Sequence, residues 1–343
     1  MNYIGSKLSL LEFLDAGIKS VVGDDAKNCH TFCDLFAGTG AVGTFFKKKK
    51  KFKVIANDLQ YYGYVLNRHY IGNHRELKFA GLSGHTAEQV CEYLNNLPAQ
   101  HGFIYNNYAS GGGSERLYFS DENAGRCDAI RAQIENWKAD GKINEDEYYF
   151  LLTTLLENID KVANTASVYG AFLKKLKSSA LRPLEMRPAP LFINDAEHNV
   201  YNADANQLVR EIETDILYLD PPYNERQYAS NYHMLETIAK YDAPEIKGKT
   251  GLRNYAAQKS DYCSRASVKR AFADLIKNAK AKYIFLSYNN EGLMTLDDVR
   301  EIMSTRGEYG VFTQDYRRFK ADSARNNSAD KTTEYLHWLR VEN

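Results

Sequence analysis

The residues with the plainest capacity for chemistry are Asp220, Pro221, Pro222 and Tyr223, in a row behind the apolar run of residues 216–219. Such a run reads as a buried strand of a mostly parallel sheet. Ligand sites of open α/β sheets lie outside the carboxyl ends of these strands. The two prolines stop the strand, fix two φ angles and remove two backbone donors, so the carbonyls of Asp220 and Pro221 are free to face a ligand. Tyr223 adds a flat ring beside them. The set suits an exocyclic amine on a flat heterocycle: Asp220 and the Pro221 carbonyl accept its two N–H bonds while Tyr223 stacks on the ring. An adenine N6 is a poor nucleophile because its lone pair is delocalised into the ring. Two fixed acceptors stabilise the positive charge that develops on nitrogen during attack. The plainer alternative is a strand ending in an ordinary turn.

A second group of residues points to a nucleoside cofactor. Residues 31–43 read TFCDLFAGTGAVG. They predict a strand over 32–36, a tight turn allowed by Gly38 and Gly40 around Thr39, and a helix over 41–48. The turn lacks the lysine of a phosphate-binding loop and is shorter than the dinucleotide fingerprint. It therefore suits a cofactor without a pyrophosphate, and S-adenosylmethionine fits. Asp34, Phe36, Gly38, Thr39 and Gly40 are the candidate contacts. Asp58 follows the next strand, over 52–56, about twenty residues after the turn, where an acid accepts both ribose hydroxyls. The same carboxylate suits a helix N-cap, and the two roles are compatible. Asp204, in the polar tip 202–204, either contacts the cofactor adenine or caps the helical turn over 207–212. Residues 2–7, NYIGSK, precede an amphipathic helix over 8–18, where Lys7 taken alone reads as a solvated helix-start lysine.

The elements that must position these groups fall into a chain of 343 residues, 44% of them hydrophobic, enough for one large α/β domain with an insertion. Lysine plus arginine and aspartate plus glutamate are 44 each, which excludes a blanket polycation. Nucleic-acid binding must then come from local patches. Tyrosine is abundant at 25, which favours stacking surfaces. The five cysteines are scattered, and Cys29 and Cys33 have no matching second pair. No zinc site, other metal site or disulfide framework is expected. No signal peptide opens the chain and no apolar run suffices to cross a bilayer, so a cytoplasmic protein without membrane partners is expected.

The strand–helix rhythm breaks between residues 72 and 190, too long a stretch for a crossover loop. Helices are expected over 121–138 and 145–159, then an aromatic-rich stretch over 166–176 beside Lys174, Lys175 and Lys177. The region reads as an inserted, largely helical unit: a DNA reader, or a packed cap with an exposed lysine edge. Residues 1–71 and 191–343 are left as the catalytic domain. The lysine run 47–51 reads as a solvated helix end, with contact to a DNA backbone as the alternative. Short strands are expected over 191–193 and 199–201. Beyond the Asp220 loop come a helix over 232–239 with a structural His233, a mobile loop over 248–259, a helix over 265–280, a strand over 283–287 and a helix over 295–303. Two final strands, 311–316 and 333–339, flank a loop whose Arg317, Arg318, Lys320 and Arg325 are candidate phosphate contacts.

Over nearly its whole length the chain resembles an alpha-group, D12-class DNA adenine-N6 methyltransferase of a restriction–modification system. NYIGSK is similar to the N-terminal cofactor motif, with Tyr3 and Lys7 as the implied contacts. DLFAGTGAVG is similar to the glycine-rich cofactor motif, Asp58 to the ribose-binding acid, and residues 202–204 to the third motif. DPPY at 220–223 is the catalytic motif, and LSYNNEG at 286–292 resembles a later pocket motif. The resemblance implies an α/β, seven-stranded S-adenosylmethionine-dependent methyltransferase fold, last strand antiparallel, with an inserted target-recognition region. It also implies direct, in-line methyl transfer to N6 of an adenine flipped out of double-stranded DNA, without a covalent enzyme intermediate or a metal. The DNA partner would carry a specific recognition sequence, and a cognate restriction endonuclease would be a functional rather than physical partner. DPPY also occurs in cytosine-N4 methyltransferases, so that reaction stays open, as do RNA methylation and DNA binding without catalysis.

Overall fold

The computed structural model describes residues 5–50, 52–317 and 331–342. Tyr3, and Arg318, Lys320 and Arg325 of the C-terminal basic loop, lie outside the described residues. The chain divides into two compact units, one of Gly5–Asn67, Asn194–Tyr228 and Ala257–Asn343, the other containing Arg68–Ile193 with Ala229–Ala256. In chain order the strands are β1 (Thr31–Asp34), β2 (Lys53–Asn57), β3 (Asn199–Tyr201), β4 (Glu213–Leu219), β5 (Ile246–Lys247), β6 (Leu252–Arg253), β7 (Lys280–Asn289), β8 (Gly307–Arg317) and β9 (Lys331–Val341).

The first unit is built on a seven-stranded sheet in the order β3-β2-β1-β4-β7-β9-β8. The strands from β3 to β7 run parallel, and β9 is antiparallel to both of its neighbours. Period-two alternation sorts the side chains. Phe32, Ile216, Tyr218, Phe285 and Leu336 face one core with Leu14, Ile18, Val42 and Phe46. Cys33, Leu217, Leu219, Ile284, Leu286 and Leu339 face the other with Leu208, Phe272, Leu275 and Val299. Both sheet faces are thus covered by helices, which is why the central strands read as continuous apolar runs. The lysine run has its expected solvated state at Lys48 and Lys49 and departs from it at Lys47. Lys47 is buried, and burial lowers its pKa to about 7. Lys49 is paired with Asp15 and Glu12.

One buried amide sets the carboxyl edge of the sheet. The Asn57 side chain donates to the carbonyls of Leu35 and Ala203, each at 3.1 Å, and accepts from the Ala203 N–H at 3.0 Å. These atoms lie just beyond β1 and β3, where ladder bonds end and backbone groups need other partners.

The second unit is largely helical, with helices Ala87–Asn95, Phe103–Tyr108, Asp121–Ala139, Glu145–Lys161 and His233–Lys240. Thr86 and Asn144 form capping boxes and Ser120 caps the third of these helices, satisfying N-terminal donors. Residues 229–256, which the sequence leaves with the sheet, belong here. The fully buried Arg131 donates to the carbonyls of Ile238 and Ala239 at 2.8 and 3.2 Å, capping the last turn of helix His233–Lys240. His233 is structural, as read: its Nε2 lies 2.9 Å from the Tyr169 carbonyl, and burial lowers its pKa to about 4.

This region departs from expectation over 191–193 and over part of 248–259. Of the loop expected over 248–259, residues 248–253 are the tip and second strand of a β5–β6 hairpin, and Ala256–Gln258 form a 3-10 turn. Tyr108 donates to the Gly251 carbonyl at 2.8 Å, and Arg116 to those of Lys249 and Gly248. Residues 166–176 form turns organised by Asn164, whose amide binds the Leu117 and Leu173 carbonyls and the Lys177 N–H. Residues 191–193 also form no strand.

Replacing Asn57 by Ala is expected to leave up to three backbone groups unpaired at the sheet edge and to lower unfolding free energy by about 3 kcal/mol. Urea denaturation of parent and variant measures this; a loss well under 1 kcal/mol would show that the clip is slack.

Candidate active site

Asp220 follows the last residue of β4, two places after Tyr218, and so projects toward the core face shared by Tyr218, Phe285 and Leu336. The helix Leu11–Val22 packs on that face through Leu14 and Ile18. The segment entering it carries Lys7, whose ammonium lies 2.9 Å from Asp220 Oδ1 and 3.2 Å from Glu334 Oε1. Gly5 makes this entry possible. Its φ is +81°, and a Cβ there would stand 2.9 Å from the Tyr228 hydroxyl. Lys7 is therefore a buried, doubly paired cation rather than a solvated helix-start lysine.

Burial raises the pKa of Asp220 to about 6; the Lys7 charge pulls it down and the Glu334 charge pushes it up. Burial acts against the Lys7 ammonium, but Asp220 and Glu334 together hold its pKa well above the ordinary lysine value. One fifth of the Asp220 side chain remains exposed, against 7% for Lys7 and 1% for Glu334. Of the three, Asp220 is the group a ligand can reach.

The loop after Asp220 is braced from β7. Pro221 is buried, while Pro222 and Tyr223 are half-buried. The Tyr223 carbonyl accepts the Leu293 N–H at 3.0 Å. Leu293 is held by the LSYNNEG turn, where Asn289 accepts the Glu291 N–H. A Cβ on Gly292 would overlap the Tyr288 ring. The Tyr223 ring packs against the core that includes Leu219, Leu286 and Met294.

The glycine turn lies at the same edge, because Asp34 is in register with Tyr218. Gly38 and Gly40 have φ values of +52° and +78°, which favour glycine. The Gly38 N–H donates to Asp58 Oδ2 and the Gln60 N–H to Asp58 Oδ1, each at 2.8 Å. Asp58 thus joins the turn to the end of β2, and a Cβ on Gly63 would sit 2.8 Å from its carboxyl carbon. Asp34 is buried, with one oxygen on the Gly43 N–H at 3.1 Å and the other without a hydrogen-bond partner. Burial, with repulsion from Asp220, raises its pKa to about 8. Phe36 meets Tyr262 edge-on at 5.0 Å, and Thr39 is half-buried. Asp204 accepts the Gln207 N–H at 3.0 Å as an exposed helix cap. Of its two readings, the geometry displays the cap.

Glu334 was not singled out from the sequence. The signal was present: an acid two places before Leu336 in an alternating strand lies in phase with a core residue. Among the described residues no group of three His, Cys, Asp or Glu is placed to hold a metal ion.

A mostly parallel sheet with an acid beyond β2, a glycine turn after β1 and Asp-Pro-Pro-Tyr after β4 defines an α/β methyltransferase. The chain belongs to the D12 class N6 adenine-specific DNA methyltransferases, whose family pattern matches residues 3–302. It is similar to the type II methyltransferase M.NlaIII of Neisseria lactamica, 56% identical over 341 residues that cover 99% of both chains. It is 36% identical to the type II methyltransferase M.CviAII of Paramecium bursaria Chlorella virus 1, over all of this chain and 99% of that one. The type II methyltransferase M.FokI of Planomicrobium okeanokoites is 40% identical over 99% of this chain, which spans 52% of that protein. The activity is methylation of adenine N6 in DNA.

Asp220 takes up a proton as pH falls through about 6, and a protonated carboxyl no longer stabilises positive charge on the amine. The single-turnover rate of methyl transfer is expected to fall about tenfold per pH unit below that point. A pH series at saturating cofactor and DNA measures the limb; a rate that stays flat well below it would remove Asp220 from the reacting centre.

Proposed function

We propose that the chain is the site-specific modification enzyme of a type II restriction–modification system, moving the methyl group of S-adenosylmethionine to N6 of a flipped adenine in double-stranded DNA. The observation that carries the reading is Asp220, partly exposed at the end of β4 and backed by a buried ammonium. Asp220 and the Pro221 carbonyl accept the two N6–H bonds, Pro222 stiffens the loop, and the Tyr223 ring stacks on the base. With the cofactor bound, transfer would be direct and in line: the bond from N6 to the methyl carbon would form as the methyl–sulfur bond breaks, with the neutral thioether as leaving group. The proton it then sheds leaves to Asp220 or solvent.

The residues fit S-adenosylmethionine. Asp58 is held at the end of β2 by two backbone donors, one on each oxygen, the place where an acid suits ribose hydroxyls, and the turn at Gly38, Thr39 and Gly40 presents no lysine for phosphate. When bound, this cofactor supplies a methyl group on a sulfonium centre. Asp34 shapes the turn through Gly43, while Phe36 and the cap Asp204 border the cofactor. Tyr3 and Lys7 belong to the cofactor side by their motif, and Lys7 also holds Asp220.

We assign target recognition to the inserted region 72–190, extended by the hairpin unit 229–256, and methyl transfer to 1–71 with the rest of 191–343. Base contacts there carry about 1–3 kcal/mol each of discrimination. Phosphate contacts, with Arg317 to Arg325 as candidates, set salt dependence. The type II names of the relatives support a cognate endonuclease as functional partner. No described helix is long and apolar enough to cross a membrane, and DNA as substrate supports a cytoplasmic site of action.

Nucleoside analysis of duplex DNA methylated by the protein is expected to give N6-methyladenine; N4-methylcytosine would redirect the reading. Asp220→Ala should remain folded, bind cofactor and lose about 10²–10³ in single-turnover rate, by analogy with preorganised polar groups elsewhere. Tyr223→Ala should chiefly weaken capture of the flipped base, by about 1–3 kcal/mol, read with 2-aminopurine at the target position.

The cofactor assignment has its own test. Gly63→Ala forces the Asp58 carboxylate aside, and its S-adenosylmethionine affinity should drop by about tenfold, the equivalent of one lost hydrogen bond. Unchanged affinity by calorimetry would move the ribose contact elsewhere.

A further inference from the structure

Lys7 presents a problem for the reaction. Its ammonium lies 2.9 Å from the Asp220 carboxylate and by itself would cancel the negative charge that a developing ammonium on the substrate needs. Glu334 Oε1 lies 3.2 Å from the same ammonium, and its side chain is 1% exposed. It stands on β9, between β7 and β8 and in register with Asn289 and Gln314. Among the described residues its Oε2 has no hydrogen-bond partner. A buried carboxylate with an unpaired oxygen costs stability, and such a group calls for a reason.

We propose that Glu334 is a positioning residue for methyl transfer: it takes a share of the Lys7 ammonium, so that Asp220 is held in place while the buried group as a whole keeps a net negative charge beside the target amine. With one cation and two carboxylates, the buried group carries a net charge of −1. Without Glu334 it would be neutral. The inference rests on the assignment of Asp220 to the reacting amine.

Charge balance at Asp220 involves every ionisable group around it. Lys7 lowers its pKa and Glu334 raises it. Asp34, at the neighbouring strand end, is itself raised by Asp220. The phenols of Tyr218 and Tyr223 feel Asp220 and Lys7 with opposite signs. Tyr218 is engaged with Ser287 at 2.8 Å. Among these neighbours, Glu334 is the carboxylate on the Lys7 ammonium itself, so removing its charge acts on Asp220 both directly and through Lys7.

The test is Glu334→Gln in the full chain, with duplex DNA and S-adenosylmethionine at saturation. The single-turnover rate is expected to fall about 10–100-fold, the effect of one unit charge a few ångströms away at intermediate dielectric. Cofactor affinity should stay within about twofold. The acid limb should move below that of the parent by about half a pH unit or more, because repulsion on Asp220 has gone. A purely structural role would not move that limb. In a Lys7→Met background, Glu334→Gln should add less, because the shared ammonium is already gone.

A folded Glu334→Gln protein with parental rate and limb would overturn the proposal, as would effects of the two substitutions that simply multiply. Should Glu334→Gln fail to fold, Glu334→Asp decides. It keeps the charge but draws it back from Lys7, so the rate should fall several-fold with cofactor affinity kept; a parental rate overturns the proposal. If the parent protein itself yields no N6-methyladenine, the assignment of the site fails instead.

Discussion

A lysine ammonium buried at the end of a parallel sheet is the constraint around which the catalytic unit is arranged. An isolated buried charge is costly, and pairing offsets that cost only when partners are close and well placed. Lys7 meets the requirement with Asp220 and Glu334. These residues come from the start, the middle and the end of the chain. The entering N-terminal segment, β4 and β9 must therefore all be in place before the ammonium is satisfied. Gly5, with its positive φ and its close approach to Tyr228, permits the route.

The parallel arrangement has a second consequence. It brings the carboxyl ends of β1, β2 and β4 to one edge, and each carries or is followed by an acid: Asp34, Asp58 and Asp220. Carboxylates gathered in a partly dry site repel one another and resist ionisation. The edge resolves this unequally. Asp34 is buried and pushed up to about 8, which keeps it largely protonated near neutrality and suits a turn-shaping role. Asp58 is braced by two backbone N–H groups, and Asp220 is steadied by Lys7. Three acids of the same chemical type thus acquire different tasks from their surroundings.

The largely helical unit shows how a break in rhythm can be read without its limits. Its helices announce themselves through capping residues such as Thr86, Ser120 and Asn144. Its recruitment of 229–256 depends on Arg131 reaching carbonyls more than a hundred positions away. The β5–β6 hairpin likewise looks like a loose glycine-containing loop until Tyr108 and Arg116 fasten its tip. A side chain that satisfies a distant backbone carbonyl leaves no periodic trace in the segment it holds.

The sequence by itself determined the sheet's central strands, the helices that cover them, the glycine turn and the Asp-Pro-Pro-Tyr loop. These follow from local rules: apolar periodicity, φ freedom at glycine and the stop imposed by proline. It also carried the family motifs that match residues 3–302. Only the tertiary structure decided what the charged residues do. Lys7 changed from a solvated helix-start lysine to a buried cation, and Lys47 turned inward within a run that reads as solvent-facing. Asp204 caps its helical turn, and Glu334 emerged beside Lys7 from the last strand. A charge acts through its partners and its dielectric surroundings, and both are set by strands and turns far apart in the chain.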